Sequence, residues 1–419
     1  MISRIEALNF RSLRNVSQAL GRFQVLVGPN ASGKTTFLDV IAFLGRIVSD
    51  GLEAAVEDRT STPQDLTWRR TGGTFQLAVE ARLPGEIQAT LSERGYDTIR
   101  YEVSIETTPE LGFAAETVLL FQSAPPTWKQ LDVFPSDAPE RPSLLTPKQE
   151  GKRKIVNKVQ GGNDNFYPET TSEAGKGGWV TPFKLGPRKS ALANLPEDES
   201  KFPATTWLKQ LLSEGVQSFV LNSLQIRRAS PPGKGRGFKP DGSNLPWVVA
   251  ALEHGSADDK DRLAEWVKHL RTALPDLSGI RTVERADDKH RYLLLSYENG
   301  IEVPSWMASD GTLRLLALTL PAYLPDFHGV FLIEEPENGI HPRAVEAALQ
   351  SLSSAYDAQI LVASHSPVVL SLVSPENVLC FGKTASGATD IVRGSEHPAL
   401  KSWRGETSLG TLFASGVLS

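Results

Sequence analysis

Two adjacent carboxylates, Glu334 and Glu335, follow the apolar run at 329–333. Carboxylates at the end of a buried strand are costly unless positive charge lies against them. The glycine-bearing stretch GPNASGKT at 28–35 contains a lysine that can supply this charge. It follows the apolar run FQVLV (23–27) and precedes residues with helical spacing. Together the two segments predict a centre that binds phosphate and a metal ion.

The stretch 28–35 has the spacing G-x-x-x-x-G-K-[ST], which is that of a P-loop. Its glycines let backbone N–H groups surround phosphate oxygens, and the following helix N-terminus adds donors and a positive dipole end. Lys34 is predicted to neutralise the β- and γ-phosphates of ATP, and the Thr35 hydroxyl to ligate Mg²⁺. The residues predicted to contact the nucleotide here are Gly28, Asn30, Ser32, Gly33, Lys34, Thr35 and Thr36.

The two carboxylates have separate predicted roles. Glu334 closes its strand and is predicted to face Mg²⁺ through water, as a Walker B acid does. Glu335 is predicted to orient and deprotonate the attacking water. The alternative is a solvated pair of acids at a strand end. The apolar run before the pair and Pro336 after it favour the functional interpretation.

Two further segments decide which class of P-loop protein is predicted. The segment SDGTLRLLALTL (309–320) places Ser309 and Gly311 at the start of an apolar helix, whose N-terminus is a second anion site. The segment ILVASHSP (360–367) places His365 directly after an apolar strand. Taken singly, the first is a common helix cap and the second a structural histidine. The order of P-loop, S-D-G-T helix, Glu-Glu strand and strand-His favours functional roles for both.

That order resembles the ABC-type ATPases, in the SMC-like, RecF-like and OLD-like branch often labelled AAA family ATPase in prokaryotic defence loci. The opening IEALNFRSL…FQVLVGPNASGKTTFLDVI looks like that branch, with Ala31 where glycine is commoner. The resemblance implies the following assignment: Walker A at 28–35, signature at 309–314, Walker B ending at Glu334 and Glu335, D-loop at Asn338, Gly339 and Ile340, and switch histidine at His365.

The resemblance also implies a fold and an assembly. The fold class is α/β: an ABC-ATPase head in which a P-loop parallel sheet is flanked by helices and joined by an antiparallel β subdomain, with a compact loop-rich inserted subdomain. Two heads would join head-to-tail around two ATP molecules. The signature residues Ser309, Gly311 and Thr312 of one subunit would cap the γ-phosphate bound by Lys34 of the other, and His365 would contact the same phosphate.

Two features of the sequence depart from the transporter pattern that the resemblance brings with it. Asp310 replaces a glycine of the usual transporter signature, which suits the SMC-like branch better. A Q-loop glutamine is not obvious: Gln76 lies in a suitable region, and a solvent-facing strand position explains it equally well.

Three domains are predicted along the chain. Residues 1–122 form the N-terminal lobe with Walker A, 123–225 an inserted lid or partner-docking subdomain, and 226–419 the C-terminal lobe with the remaining motifs. The insertion is predicted from the many Pro, Gly, Lys and Ser residues between about 123 and 205. A coiled coil does not fit this Pro-rich stretch.

Composition restricts the setting. The single cysteine, Cys380, cannot form an intramolecular disulfide, and we expect a cytoplasmic protein. Arg314 and Pro321 interrupt the most apolar stretch, so we expect no association with a membrane through a spanning helix. The formal net charge of -5 leaves room for a local basic groove. The glycine-rich basic loop RRASPPGKGRGFKP (227–240) is either a nucleic-acid contact or a solvated loop.

The leading functional hypothesis is an ATP-hydrolysing ABC-type ATPase that works as a nucleotide-gated dimer, or a higher oligomer, and controls a partner effector. Anti-phage defence or DNA maintenance is expected from the resemblance alone. The effector, for example a nuclease, is expected to be a separate protein, because only 54 residues follow His365. Asp259-x-Asp261 resembles a fragment of a nuclease metal site, but it is better explained as the start of a helix. The alternatives are the ATPase subunit of a membrane transporter and a sensor that binds ATP but barely hydrolyses it.

Overall fold

The computed structural model describes residues 1–91, 95–124, 133–147, 149–170, 181–233, 235, 237–400 and 407–418. The strands are β1 (Ile2–Phe10), β2 (Leu13–Ala19), β3 (Phe23–Val27), β4 (Thr74–Arg82), β5 (Thr98–Glu106), β6 (Gly112–Phe121), β7 (Lys152–Val159), β8 (Asp164–Phe166), β9 (Thr181–Phe183), β10 (Val216–Phe219), β11 (Leu277–Glu284), β12 (Arg291–Tyr297), β13 (Glu302–Pro304), β14 (Gly329–Glu334), β15 (Ala358–Ala363), β16 (Val378–Lys383) and β17 (Thr389–Arg393). The α-helices are α1 (Lys34–Asp50), α2 (Leu52–Glu57), α3 (Gly85–Thr90), α4 (Pro203–Ser213), α5 (Ser223–Arg227), α6 (Leu245–Glu253), α7 (Ala257–Leu270), α8 (Asp310–Thr319), α9 (Pro342–Ser354), α10 (Pro367–Ser371) and α11 (Leu409–Ala414). In the described part of the chain, no helix has both the length and the apolar character needed to cross a bilayer.

A six-stranded sheet forms the centre of the molecule, in the order β10-β14-β15-β3-β16-β17. The strands from β10 to β16 are parallel to their neighbours, and β17 is antiparallel to β16. Strands β3 and β15 are buried along their whole length, which is typical of a parallel sheet with helices on both faces. Along β14, Val330 and Leu332 pack with α1 and α4, whereas Phe331 and Ile333 pack with α8 and α9. Because helices cover both faces of the sheet, residues pointing either way are buried, which explains the continuous apolar runs of β3, β14 and β15.

The carboxyl ends of β3, β14 and β15 lie at one edge of this sheet because the three strands are parallel and neighbouring. The P-loop follows β3, the pair Glu334 and Glu335 ends β14, and His365 follows β15. Segments more than 300 residues apart in the chain are thereby brought to one place. This arrangement confirms the predicted α/β architecture around a P-loop.

An eight-stranded antiparallel sheet lies beside the first, in the order β2-β1-β4-β5-β6-β7-β8-β9. Strands β7 to β9 come from the region expected to be an inserted subdomain, and they extend the N-terminal sheet. The division into 1–122, 123–225 and 226–419 stays a prediction. A third, three-stranded sheet consists of β11, β12 and β13.

Part of the insertion is bound to the N-terminal sheet by a buried ionic cluster. The Arg100 guanidinium pairs with Glu6, Glu80 and Glu102, and Glu102 also accepts the Thr146 N–H at 2.9 Å. Burial alone raises the pKa of Glu6, but the Arg100 charge and hydrogen bonds outweigh it and hold the pKa at about 2. Glu6 therefore stays ionised beside Arg100, and the hydrogen bond from Thr146 to Glu102 ties the segment around residue 146 to the sheet.

Gln76 serves the same attachment. Its Oε1 accepts hydrogen bonds from the Ser143 hydroxyl at 3.0 Å and from the Leu144 N–H at 2.6 Å. Its Nε2 donates to Ser104 on the neighbouring strand. Gln76 thus holds the insertion on the antiparallel sheet, and no hydrogen bond among the described residues links it to the P-loop.

Several local sequence patterns correspond to elements of the structure. The amphipathic pattern at 259–274 corresponds to α7, which begins with a capping box formed by Ser256 and Asp259. The hairpin of β12 and β13 turns at Gly300, which has φ +79°. The apolar C-terminal stretch packs against the core through α11 and α10, with Leu418 fully buried.

Candidate active site

The P-loop takes a shape that only glycine allows at two positions. Gly33 has φ +103°, and a Cβ there would lie 2.2 Å from Thr389 Oγ1. Gly28 has φ +152°, and a Cβ there would lie 2.3 Å from the Phe381 carbonyl oxygen. The loop is therefore pressed against β16 and β17, with its amides held at the start of α1.

Two hydroxyls hold the P-loop from outside the motif. Thr389 Oγ1 donates to the Ser32 carbonyl at 2.9 Å and lies 3.0 Å from Ser12 Oγ, while the Thr389 N–H donates to the Ser12 carbonyl at 2.9 Å. Ser12 lies in the turn between β1 and β2. The Ser32 hydroxyl is buried without a hydrogen-bond partner among the described residues. We call Ser12 and Thr389 the hydroxyl clamp; no local spacing in the sequence marks either residue as part of the site.

Lys34 is buried at the first turn of α1. Its Nζ donates to the carbonyls of Gly28 at 2.8 Å and Pro29 at 2.9 Å. Burial lowers the pKa of Lys34 to about 8, although the carboxylates of Glu335 and Glu334 oppose this shift. An ammonium group in this position gains stability from an anion placed in the loop.

Thr35 and Glu334 lie side by side. The Thr35 hydroxyl donates to Glu334 Oε2 at 2.8 Å, and both side chains are exposed. They line one wall of a cavity of about 700 Å³ that also contains Arg11, Leu221 and Arg314. A hydroxyl and a carboxylate at this distance are oxygen ligands suited to a hard cation such as Mg²⁺.

Glu335 has a strained backbone. Its φ is +48°, an uncommon value for a residue other than glycine, and its N–H donates to the Ala363 carbonyl at 2.8 Å. Its carboxylate accepts a hydrogen bond from the Asn338 amide, and Oε1 lies 4.0 Å from His365 Nε2. The side chain is half-exposed, at 47%. The turn therefore directs a solvated carboxylate toward His365 and the D-loop.

Glu337 supports the segment that carries His365. Its Oε1 accepts the Ser364 hydroxyl at 2.6 Å and the His365 N–H at 3.3 Å. Its Oε2 is buried and has no hydrogen-bond partner among the described residues. Glu337 was not identified from the sequence, because its partners follow a different strand.

The signature residues lie at the start of α8. Ser309 caps the helix: its Oγ accepts the Thr312 N–H at 3.1 Å and lies 2.8 Å from Thr312 Oγ1. A Cβ on Gly311 would lie 2.7 Å from the Gly339 carbonyl, so the signature packs on the D-loop of its own chain. In the part of the chain that is described, no hydrogen bond joins these residues to the P-loop.

The remaining predicted nucleotide contacts line the exposed side of the loop. Asn30 is exposed and Thr36 is half-buried at the third position of α1. The structure thus brings the P-loop, both carboxylates and His365 to one sheet edge. It leaves Ser309, Gly311 and Thr312 outside that group.

Several basic residues, within the loop 227–240 and elsewhere, have partners inside the molecule. Lys158 is buried against Asp164 at 2.7 Å, and Arg188 lies 2.9 Å from Glu53. Arg227 pairs with Asp310. Lys234 and Arg236 lie outside the described residues.

Comparisons with known proteins show the family and the fold. Residues 23–371 match the family model described as "AAA domain, putative AbiEii toxin, Type IV TA system". A solved SMC head bound to the C-winged helix domain of ScpA has 12% sequence identity and a TM-score of 0.51, covering 93% of this chain and 96% of that one. The Smc head with an extended coiled coil bound to the C-terminal domain of ScpA, from Pyrococcus furiosus, has 11% identity and a TM-score of 0.51, covering 100% and 98%.

No curated protein matches the sequence. The two SMC heads are below 25% identity, so they support the fold alone. The family model covers the P-loop, the signature, both carboxylates and His365. The chain therefore belongs to this family of AAA-type P-loop ATPases and has the fold of an SMC-like, ABC-type ATPase head.

Proposed function

We propose that the protein is an ATP-hydrolysing ABC-type ATPase that works as a nucleotide-gated dimer and controls a separate effector. The observation that carries this proposal is the meeting of Lys34, Thr35, Glu334, Glu335 and His365 at one sheet edge. These are a phosphate-binding cation, two metal-binding oxygens, a solvated carboxylate and a histidine. The set matches the needs of phosphoryl transfer to water.

The residues fit Mg-ATP. The P-loop holds its backbone amides in a conformation that requires glycine at positions 28 and 33, because a Cβ at Gly28 would collide with Phe381 and one at Gly33 with Thr389. The Lys34 ammonium lies among loop carbonyls, where a phosphate is a better partner. Thr35 and Glu334 are adjacent oxygen donors. Mg²⁺, when bound, supplies charge that neutralises the phosphate oxygens.

The chain's own groups divide the work of hydrolysis. Glu335 accepts the proton of the attacking water, because its carboxylate is solvated and its orientation is set by the backbone at φ +48°. Asn338 fixes one carboxylate oxygen. His365 lies on the other side of that carboxylate and stabilises the charge that develops beside it.

The signature supports a dimer. Ser309 and Gly311 stand at an exposed helix start, and within one chain no hydrogen bond among the described residues links them to the P-loop. A head-to-tail pair places the signature of each copy over the P-loop of the other. Such an arrangement closes with two-fold symmetry and makes two equivalent sites.

The effector part of the proposal has support from the comparisons. The matched family is described with a toxin of a type IV toxin–antitoxin system, and two solved SMC heads are bound to ScpA. We propose a cytoplasmic role in defence or DNA maintenance, in which the ATP-bound dimer binds and holds an effector. Nothing in the site favours a transporter subunit.

The test is the Glu335→Gln variant. We expect it to bind ATP, to shift to a larger mass with Mg-ATP, and to lose about 100-fold or more in phosphate release, because the proton acceptor is removed while the loop is intact. Size-resolved mass and steady-state phosphate release measure the two properties.

Glu346→Gln is the matched control, since Glu346 is an exposed glutamate on α9. It should behave as wild type in both measurements. An unchanged mass of Glu335→Gln with ATP, together with unchanged phosphate release, would show that Glu335 is not the base and that ATP does not join the heads.

A further inference from the structure

Asp310, the signature residue that departs from the transporter pattern, has a specific partner. Its carboxylate accepts a hydrogen bond and ion pair from Arg227 at the end of α5. The same guanidinium donates to the Trp306 carbonyl at 3.0 Å through its other terminal nitrogen. One planar side chain therefore binds two acceptors on either side of Ser309.

Helix α5 holds the signature segment at two further points. The Arg227 carbonyl accepts the Ser305 hydroxyl at 3.1 Å. Ser223 Oγ, at the other end of α5, accepts from Arg314 Nε at 3.3 Å. The short helix thus spans the segment from the turn before α8 to its second turn. We call these contacts the α5 clasp.

The α5 clasp is connected to the strand that carries Glu334. Strand β10 runs parallel to β14, with Phe219 opposite Ile333, and α5 begins four residues later at Ser223. Asn222 fixes that beginning, because its side chain accepts the N–H groups of Leu224 and Gln225. The end of β14 is therefore connected to the signature through its hydrogen-bonded neighbour β10, the short segment 220–222 and α5.

The α5 clasp is poorly placed to serve stability. The Asp310 side chain is 63% exposed and that of Arg227 30%, and ion pairs at such exposure contribute little to folding. The geometry does need arginine, since a lysine has one donor nitrogen and cannot bind both acceptors in this way. An interaction that is specific in geometry and weak in stability is suited to setting orientation.

We propose that Arg227 is a positioning residue that orients Ser309 and Gly311 for the nucleotide bound by a second copy of the chain. The proposal rests on the proposed function of the signature in a dimer. It assigns Asp310 a role as the acceptor through which α5 sets the direction of the α8 N-terminus. The close packing of Gly311 on Gly339 is a second restraint on this end of the helix, because a Cβ at Gly311 would lie 2.7 Å from the Gly339 carbonyl.

The test is a charge reversal. We expect Arg227→Glu and Asp310→Arg each to lower kcat for phosphate release by about tenfold, because a misdirected signature loses orientation in the reacting complex. ATP binding measured with a fluorescent nucleotide should stay within about twofold of wild type, because Lys34 and the P-loop are untouched. The double variant should recover about threefold over either single variant but stay below wild type, since the swap restores the ion pair but leaves the Trp306 carbonyl without its donor.

Two controls separate positioning from stability. Arg271→Glu breaks an ion pair of similar exposure with Glu298, remote from the signature, and should keep the wild-type kcat. Arg227→Lys keeps the charge but loses the fork, and should lower kcat without moving the melting temperature. A wild-type kcat in Arg227→Glu, or a double variant no better than either single one, would overturn the assignment. A wild type that releases no phosphate contradicts the proposed function itself, and the role of Arg227 fails with it.

Discussion

At the scale of single residues, the site combines groups whose ordinary properties are changed by their surroundings. Lys34 is a buried ammonium, and Glu335 is a carboxylate held by an unusual backbone angle. Glu337 keeps one carboxylate oxygen buried with no partner among the described residues. Such departures cost stability, and they are concentrated where phosphate chemistry is proposed.

The lowered pKa of Lys34 predicts a pH dependence of nucleotide binding. The free protein loses the Lys34 charge as pH rises through about 8, whereas bound phosphate favours the charged form. We therefore expect ATP affinity to be constant below pH 7 and to weaken above pH 8, by at most about tenfold per pH unit. Titration with a fluorescent nucleotide between pH 6.5 and 9.5 measures this.

Lys34→Arg is the control for this effect, because a guanidinium stays charged throughout the range. Its affinity should be lower at neutral pH but should not change between pH 7 and 9.5. A wild-type affinity that does not change across the range would contradict the assigned environment of Lys34.

The lowered pKa of Lys34 also affects the stability of the unliganded fold. The free energy of unfolding should rise as pH rises from about 8 to the pKa of an unfolded lysine, since in this range the unfolded chain binds more protons than the folded one.

At the scale of elements, the P-loop is held by parts of the chain that lie outside its motif. The hydroxyl clamp connects it to β17 and to the turn between β1 and β2. Strand β17 in turn receives the insertion, because Asp390 accepts the Ser136 N–H at 2.8 Å. The phosphate site is therefore connected, through Thr389 and Asp390 of β17, to the segment whose function is least defined by sequence.

Thr389→Val tests the hydroxyl clamp. Valine keeps the shape of threonine but leaves the Ser32 carbonyl without its donor, so the loop loses one of the contacts that fix its shape. We expect ATP affinity to weaken by about five- to tenfold, which is the equivalent of one buried hydrogen bond. Isothermal titration calorimetry measures the affinity, and circular dichroism checks the fold.

Thr389→Ser keeps the hydroxyl and should stay within about twofold of wild type in affinity. If both variants bind ATP equally well, the clamp packs against the loop but does not position it. If both lose binding, the loop depends on the packing of the threonine methyl group as well as on the hydroxyl.

At the scale of the whole molecule, one chain holds all the predicted motifs but leaves the signature residues Ser309, Gly311 and Thr312 outside the group at the P-loop edge. The P-loop, Glu335 and His365 share a sheet edge, while Ser309 and Gly311 lie with the D-loop and α5. The exposed start of α8 is compatible with a partner copy. In the proposed dimer, competence for hydrolysis belongs to the assembly, and we infer that nucleotide controls it.

Mixing two inactive variants tests this arrangement. Lys34→Ala removes the P-loop charge, and Ser309→Arg blocks the signature, so each variant alone should be inactive. In a mixed dimer, one of the two sites takes its P-loop from the Ser309→Arg chain and its signature from the Lys34→Ala chain. Random mixing should therefore restore about a quarter of the wild-type phosphate release.

A mixture that stays inactive, while mass measurements show mixed dimers, would contradict a site shared between copies. Activity in Ser309→Arg alone would contradict the role of the signature. Lys34→Ala mixed with Glu335→Gln is the control, since both changes fall on the same side of the site and no intact site forms.

The sequence by itself determined the parts that depend on local backbone chemistry. The P-loop is recognisable because neighbouring glycines, a lysine and a threonine must stand at set intervals around phosphate. The Glu-Glu pair and His365 are recognisable because each follows an apolar strand, and parallel strands end at one edge. The central α/β sheet follows from the same continuous apolar runs.

Only the tertiary structure decided the contacts between residues that are distant in the chain. Thr389 lies more than 300 residues from the P-loop, Arg227 lies far before the signature, and Gln76 is bound to the insertion instead of the active site. The sequence pattern of β7, β8 and β9, which are separated by loops, is too weak to assign these strands to a sheet. The physical reason is that such pairings depend on which surfaces meet after the chain has packed, and no local spacing encodes that choice.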